Sequence, residues 1–370
     1  MTNFLQHKIN LRIQSNSLRA LKTETALFDF SSNDYLGFAK SPEIKHKIES
    51  YIKNHPSYLI GATGSRLLAG NTLFVEELES EIADFHLAEA GLIFNSGYDA
   101  NIGLLSSVAQ RGDTIITDEL IHASLIDGAR LSYANRYIFK HNDLDSLEEK
   151  LKHSKGNIFI VTESIFSMDG DFTPIKEINN LAKKYHAHLI VDEAHATGVI
   201  GPNGKGLVNH LNLENDVFAR IHTFGKALGC HGAIILGSTA LRTYLINFSR
   251  SFIYTTALPF HSLLSIKMAY EQLKISPEIA QLRANIELFR SSAKALKYSL
   301  IDSQSAIQSI IIPGNESCKL AAKQLQNEGF EVKPILSPTV TEGKERLRIC
   351  LHADHTPEQI KDLVSQLMNL

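Results

Sequence analysis

The chain has 370 residues, 44% hydrophobic and 21% charged, which is ordinary globular composition with room for a large core and one or two domains. A net charge of −3 without any basic run excludes nucleic-acid binding by phosphate neutralisation. The N-terminal string MTNFLQHKINLRIQ lacks the apolar core of a signal peptide, and no segment is long and apolar enough to span a membrane. Cys230, Cys318 and Cys350 are odd in number and scattered, so they form neither a metal motif nor a disulfide framework. A reduced, soluble, cytoplasmic protein is expected.

The first 45 residues read as an arm that carries the string SSNDYLG at 31–37. Leu73, Phe74, Leu78, Ile82 and Phe85 recur at helical spacing and predict an amphipathic helix over 73–87. Short apolar runs follow at 91–94, 114–116, 158–161, 189–191 and 233–236, each followed by polar residues or glycine. Runs without polar alternation suit strands buried on both faces. They predict an α/β fold with a mostly parallel sheet flanked by helices. Long helical patterns occupy 260–300. Beyond them, apolar segments at 307–312, 333–340 and 347–351 interleave with helical stretches near 316–328 and 357–368. They predict a small C-terminal α+β domain. The division expected is an arm over 1–45, a large domain over 46–275 and a small domain over 276–370.

In open α/β sheets the ligand crevice lies outside the strand carboxyl ends, so the residues after each run carry the interest. After 91–94 come Asn95, Ser96, Gly97 and Tyr98, opening a predicted helix over 98–109. Amides at a helix start bind phosphate, and Gly97 allows close approach, although a plain strand-to-helix turn reads the same way. After 114–116 comes His122, which could lie flat on an aromatic cofactor or cap the next helix. After 158–161 comes a segment with an Asp169-Gly170-Asp171 turn, without the further carboxylates of a calcium loop. After 189–191 come Asp192, Glu193 and His195.

A strand-end carboxylate is poorly solvated unless paired. A protonated pyridine ring would pair with Asp192, and His195 could reach a ring oxygen; a metal held by Asp192, Glu193 and His195 is the rival. Lys226 lies in GKALG at 225–229, among small residues that leave room for a bulky adduct. A solvated lysine in a Gly-rich loop is the ordinary alternative, and the spacing is not that of a P-loop. An aldehyde cofactor with a pyridine ring needs an amine for a Schiff base and an acid for its ring nitrogen. Each residue alone is ambiguous. Together, in chain order at successive strand ends, they supply a phosphate cradle, a ring neighbour, a pyridinium partner and a Schiff-base lysine, which points to pyridoxal 5'-phosphate (PLP).

The chain resembles the α-oxoamine synthases of PLP fold type I, an aspartate-aminotransferase-like fold. The likeness rests on SSNDYLG at 31–37, GSR at 64–66, SGY at 96–98, HAS at 122–124 and FSMDGD at 166–171. It continues through DEAHATG at 192–198, TFGK at 223–226, YTT at 254–256 and RLR at 346–348. The resemblance implies that Lys226 forms the Schiff base and moves the substrate α-proton. It implies that Asp192 pairs with the ring nitrogen, His195 contacts the ring oxygen and His122 stacks on the ring. Gly97, Tyr98 and Thr223 would hold the phosphate, and Ser167 would lie near the ring oxygen and reacting carbonyl. Arg348 would receive the amino-acid carboxylate with help from Asn33, and Arg19 is a loose match to an arginine near the acyl chain. Thr256 would reach the phosphate of a neighbouring subunit, which implies a homodimer with shared sites.

Within the family, the wording at 31–37, 192–198 and 223–229 is similar to members that condense L-alanine with pimeloyl-CoA or a pimeloyl-acyl carrier protein. Glycine C-acetyltransferases usually differ there and are the alternative. Cys350 and His352 depart from the Ser or Thr more common in that branch. A catalytically dead member of the fold would typically lack Lys226, and a dinucleotide-binding module would need a Gly-rich fingerprint after its first strand.

Overall fold

The computed structural model describes residues 3–21, 23, 26–58 and 60–370. In chain order its strands are β1 (Phe28–Asp29), β2 (Ala90–Phe94), β3 (Thr114–Asp118), β4 (Asn135–Phe139), β5 (Ile158–Glu163) and β6 (His188–Asp192). Then come β7 (Ala219–Thr223), β8 (Ala233–Gly237), β9 (Ile307–Ile311), β10 (Phe330–Glu331), β11 (Lys333–Ile335) and β12 (Arg346–Cys350). Contacts divide the chain into two compact units. One comprises Leu36–Phe166 and Phe172–Ile279; the other comprises Met1–Tyr35, Ser167–Asp171 and Ala280–Leu370. The three-part division expected from sequence remains a proposal beside this one, which groups residues 1–35 with the C-terminal segment.

The larger unit is built on a seven-stranded sheet in the order β2-β8-β7-β6-β5-β3-β4. β3, β4, β5, β6 and β7 pair in parallel, and β8 is antiparallel to both β7 and β2. β8 alone is reversed, so the carboxyl ends of the other six strands share one edge. The sheet is covered on both faces, which explains the unbroken apolar runs. Because side chains alternate along a strand, Ile115, Phe159, Val161 and Ile190 enter one core. Ile116, Ile160, Leu189 and Val191 enter the other. Leu104, Leu105 and Leu125, from helices Gly97–Val108 and Ala123–Leu131, close the first core. Leu147, Leu151, Ile175 and Ile178, from helices Leu144–Lys152 and Ile175–Lys184, close the second. Burying each such side chain stabilises the fold by about 1.5–3 kcal/mol.

Two strands of this sheet were not anticipated from the sequence. β4 is the exposed edge, where Tyr137 and Ile138 face solvent, so it carries no buried run. β7 interrupts its apolar pattern with Arg220 and His222, both buried. Arg220 is tolerated there because its Nη1 donates to Asn209 Oδ1 at 2.6 Å and to the His86 carbonyl at 3.0 Å. The helix expected over 73–87 runs Leu73–Phe85, and the one expected over 98–109 runs Gly97–Val108. The long pattern at 260–300 is two helices, Phe260–Leu273 and Glu278–Ser292.

In the smaller unit β11, β12 and β9 form an antiparallel sheet, and β1 pairs in parallel with β10. Helices Asn315–Asn327 and Pro357–Met368 accompany them, the latter opened by a capping box between Thr356 and Gln359. Among the described residues no helix is long and apolar enough to cross a membrane.

Candidate active site

Lys226 lies in a tight turn just past β7. The Cys230 amide donates to the Phe224 carbonyl and the Gly229 amide to the Lys226 carbonyl, each at 2.8 Å. Phe224, Ala227 and Leu228 are buried and anchor the turn, while Lys226 itself is half-buried. Gly229 takes a left-handed φ of 61°, the conformation that favours glycine. Lys226 Nζ lies 2.6 Å from His195 Nε2. The amine and the imidazole that the sequence placed in one site therefore meet.

Asp192 ends β6 and is buried. Its Oδ1 accepts the Ala194 amide at 2.9 Å, and its Oδ2 accepts Asn101 Nδ2 at 2.8 Å. Two donors fix the carboxylate in place. The neighbouring Glu193 turns elsewhere: its oxygens accept the amides of Leu207 at 3.0 Å and Val208 at 2.7 Å. Its carboxylate is thereby occupied, which weakens the metal reading. Among the described residues no group of three or more His, Cys, Asp or Glu side chains is arranged to hold a metal ion.

His122 caps helix Ala123–Leu131, and its Nδ1 lies 2.7 Å from Ser124 Oγ. Its amide donates to Glu163 Oε1 at 2.5 Å. Loss of hydration and the Lys226 ammonium lower its pKa, while Asp192 and Asp127 pull the other way. Glu163, in register with Asp192 across β5 and β6, is pushed up to about 8 by burial and by the Asp192 charge. Asn101, Ser124 and Glu163 belong to this cluster and were not singled out from the sequence. The available signal was position: Glu163 closes an apolar run as Asp192 does.

Gly97 opens its helix behind the N-cap Ser96, whose Oγ accepts the Asp99 amide at 3.1 Å. A Cβ added at Gly97 would come within 3.4 Å of Thr223 Oγ1, so the helix start and the end of β7 enclose a narrow space. Helix amides, a glycine and a hydroxyl at one spot suit a phosphate. Tyr98 is exposed and donates its hydroxyl to Asp127 Oδ2 at 2.7 Å. Asn95 Nδ2 ties down Thr255 Oγ1 at 2.8 Å and the Thr256 carbonyl at 2.9 Å, and Thr256 is exposed. Amine, paired acid, flat imidazole and phosphate cradle together fit PLP.

The smaller unit holds the other expected residues. Arg348 is buried, and its partners are neutral: Nε donates to the Ser167 carbonyl at 2.6 Å and Nη2 to Asn33 Oδ1 at 2.9 Å. Nη1 donates to Cys350 Sγ at 2.9 Å, which gives the unusual cysteine a place. His352 Nε2 faces the Ser32 carbonyl at 3.1 Å, and its ring stacks on His355. Asp169, in the predicted turn, pairs with Arg346 instead of lying free on a surface loop. Arg19 is exposed and donates to Thr339 Oγ1 at 3.2 Å.

Residues 25–367 match the aminotransferase class I and II family. The chain is 42% identical to 8-amino-7-oxononanoate synthase of Emericella nidulans over 92% of its length and 88% of that protein. It is 38% identical to the enzyme of the same name from Lysinibacillus sphaericus, over 99% of this chain and 94% of that one. Among solved structures, S. paucimobilis serine palmitoyltransferase with a bound PLP–myriocin aldimine superposes with a TM-score of 0.90. It shares 25% identity, covering all of this chain and 96% of that one. An 8-amino-7-oxononanoate synthase from Francisella tularensis superposes with a TM-score of 0.81 at 30% identity, covering 94% of this chain and 98% of that one. The chain belongs to the aminotransferase class I and II family, as a PLP-dependent enzyme of the α-oxoamine synthase type.

Proposed function

We propose that the chain condenses L-alanine with a pimeloyl thioester, on CoA or acyl carrier protein. The products are 8-amino-7-oxononanoate, CO₂ and the free thiol, as in biotin biosynthesis. The observation that carries this reading is the Lys226–His195 contact beside a doubly fixed Asp192, in a chain whose relatives bear that enzyme's name. Bound PLP supplies an electron sink next to the substrate α-carbon.

The protein's own residues hold the cofactor and move protons. Lys226 Nζ would hold PLP covalently and, as a free amine, would take the substrate α-proton. Asp192 keeps the ring nitrogen protonated, and its two fixed oxygens need no reorganisation to do so. His195 holds the ring oxygen side of the site, next to Lys226 Nζ. His122 covers the ring face. The Gly97 and Tyr98 amides and the Thr223 hydroxyl hold the phosphate. Arg348, with Asn33, takes the amino-acid carboxylate, and Ser167 serves the reacting carbonyl. Thr256 serves the phosphate of a second protomer, so the working unit is a homodimer.

Arg19 would meet the acyl chain. The test is turnover with L-alanine, glycine and L-serine against pimeloyl-CoA, pimeloyl-acyl carrier protein and acetyl-CoA, with products identified by mass. 8-Amino-7-oxononanoate from L-alanine supports the reading. Preferential use of glycine with acetyl-CoA replaces it with a glycine C-acetyltransferase.

A further inference from the structure

We infer that Asn101 and Ser124 are positioning residues that tie Asp192 to His122 and lock the His122 imidazole in the neutral form with its proton on Nε2. Hydrogen counting leads to this assignment. Asp192 Oδ2 accepts from the Asn101 side chain, so the amide must present its NH₂ there. The same Nδ2 has a second hydrogen, which goes to Ser124 Oγ at 2.9 Å. Ser124 is fully buried, and its oxygen already accepts from Asn101. With one hydrogen and one lone pair still free, that hydroxyl can donate to or accept from His122 Nδ1, 2.7 Å away.

The Ser124 backbone amide decides between the two: it donates to His122 Nδ1 at 3.3 Å. An atom that accepts an amide hydrogen carries no proton of its own, so the Ser124 hydroxyl turns its hydrogen to Nδ1 as well. In a neutral ring the proton is then on Nε2. Asn101 Oδ1 is buried without a hydrogen-bond partner. Flipping the amide would turn that oxygen towards the Asp192 carboxylate, so the orphan acceptor is the cost of serving Asp192 and Ser124 with one nitrogen.

The charged groups around His122 do not by themselves decide its state. Asp192 and Asp127 favour an imidazolium, and the Lys226 ammonium opposes it. Glu163 holds the backbone amide of His122, not its ring. The relay adds a directional bias: protonating Nδ1 requires the Ser124 hydroxyl to turn around and the Ser124 amide to lose its acceptor. Over a bound cofactor this keeps the stacked ring uncharged, so Asp192 remains the group that sets the charge at the pyridine nitrogen. That functional weight rests on the reading proposed above; the tautomer itself does not.

The experiment is ¹⁵N-histidine NMR on the PLP-loaded protein and on the same protein stripped of PLP, with the His122 signal assigned by its loss in His122→Asn. Both forms should show a neutral ring protonated on Nε2 and resistant to protonation as the pH falls towards 6. Ser124→Ala should show mixed tautomers and a titration moved up towards the ordinary histidine value, and Ser124→Thr should restore the original pattern. Asn101→Ala should bind PLP several-fold more weakly by fluorescence titration, with circular dichroism unchanged. A wild-type ring protonated on Nδ1, or a Ser124→Ala spectrum identical to wild type, overturns the assignment. If the tautomer is as stated but PLP does not bind, the reading of the site fails and the relay stands.

Discussion

Glu163 and Asp192 close neighbouring parallel strands in register, so two buried carboxyl groups leave the sheet side by side at its functional edge. Two such groups cannot both ionise freely, and Glu163 is the one held protonated, with a pKa pushed up to about 8 by burial and by Asp192. A carboxyl whose folded pKa lies above its unfolded value binds more protons when folded, so its ionisation destabilises the fold as pH rises from about 4.5 to about 8. Glu163→Gln keeps an acceptor for the His122 amide and removes that penalty. The variant should gain stability relative to wild type between pH 5 and pH 8, by more than about 1 kcal/mol. Denaturant midpoints of both apoproteins at the two pH values check this. A constant difference would mean that Glu163 is ionised throughout.

The Lys226 turn depends on Gly229 as much as on the lysine. Gly229 has φ 61°, and an added Cβ would overlap the backbone of Phe38 and Ala39. Gly229→Ala should cost about 1–2 kcal/mol from the left-handed backbone alone, with more from the overlap. It should also displace the amine from His195. The expected result is a much slower covalent trapping of PLP by borohydride, read by intact mass. Lys226→Ala should abolish that trapping altogether. A reducible adduct surviving in Lys226→Ala would put the attachment point elsewhere.

The strand-end residues were readable because each sits within a few positions of an apolar run. Asp192, His195 and Lys226 are fixed by two local turns, and local turns are written in contiguous sequence. Asn101 and Ser124 reach the same cluster through space, and Glu163, although it closes an apolar run, meets Asp192 only through the strand register. Their roles depend on which strands lie side by side and in what register, which no short window encodes. The same limit applies to β4 and β7. β4 is an edge strand that buries only Phe139 fully, and β7 hides Arg220 and His222 among partners from distant segments. The reversed β8 was equally invisible, since a buried antiparallel strand has the same apolar run as a parallel one.

The rings of His86 and His222 lie 4.0 Å apart, tilted by 40° to each other, inside the larger unit, both fully buried. Burial and Arg220 hold both neutral, with Lys205 adding to the effect on His86 and His86 to that on His222; His86 is lowered to about 3 and His222 well below its ordinary value. A histidine with a depressed folded pKa takes up its proton on unfolding. Stability is therefore fully present above about pH 6.5 and is lost as pH falls from there towards 3. Each ring contributes up to about 1.4 kcal/mol per pH unit in that window. Denaturant midpoints measured from pH 7 to pH 5 should fall steeply, and His222→Gln should fall less steeply. Equal slopes for the two proteins would show that His222 takes up no extra proton on unfolding and is not held neutral by the fold.

Arg348 is a buried cation whose hydrogen-bond partners are a carbonyl, an amide and a thiol. Burial without a carboxylate partner works against a guanidinium's charge, and here Cys350 and Tyr35 outweigh it, so Arg348 is held above its ordinary pKa and stays a cation. Such a group gains most from a carboxylate that arrives with the substrate. Charge-assisted hydrogen bonds contribute about 1.5–3 kcal/mol, so Arg348→Ala should raise KM for the amino acid roughly tenfold to a hundredfold. The KM for the thioester should change little. Arg348→Lys should recover only part of the loss, because an ammonium cannot reproduce the planar fork held by Ser167, Asn33 and Cys350. Cys350→Ser preserves an acceptor for Nη1 and should stay within a few-fold of wild type. Steady-state kinetics with each substrate varied in turn decide the matter. An unchanged amino-acid KM in Arg348→Ala, in a protein that still binds PLP, would remove Arg348 from the substrate carboxylate and leave it a structural cation.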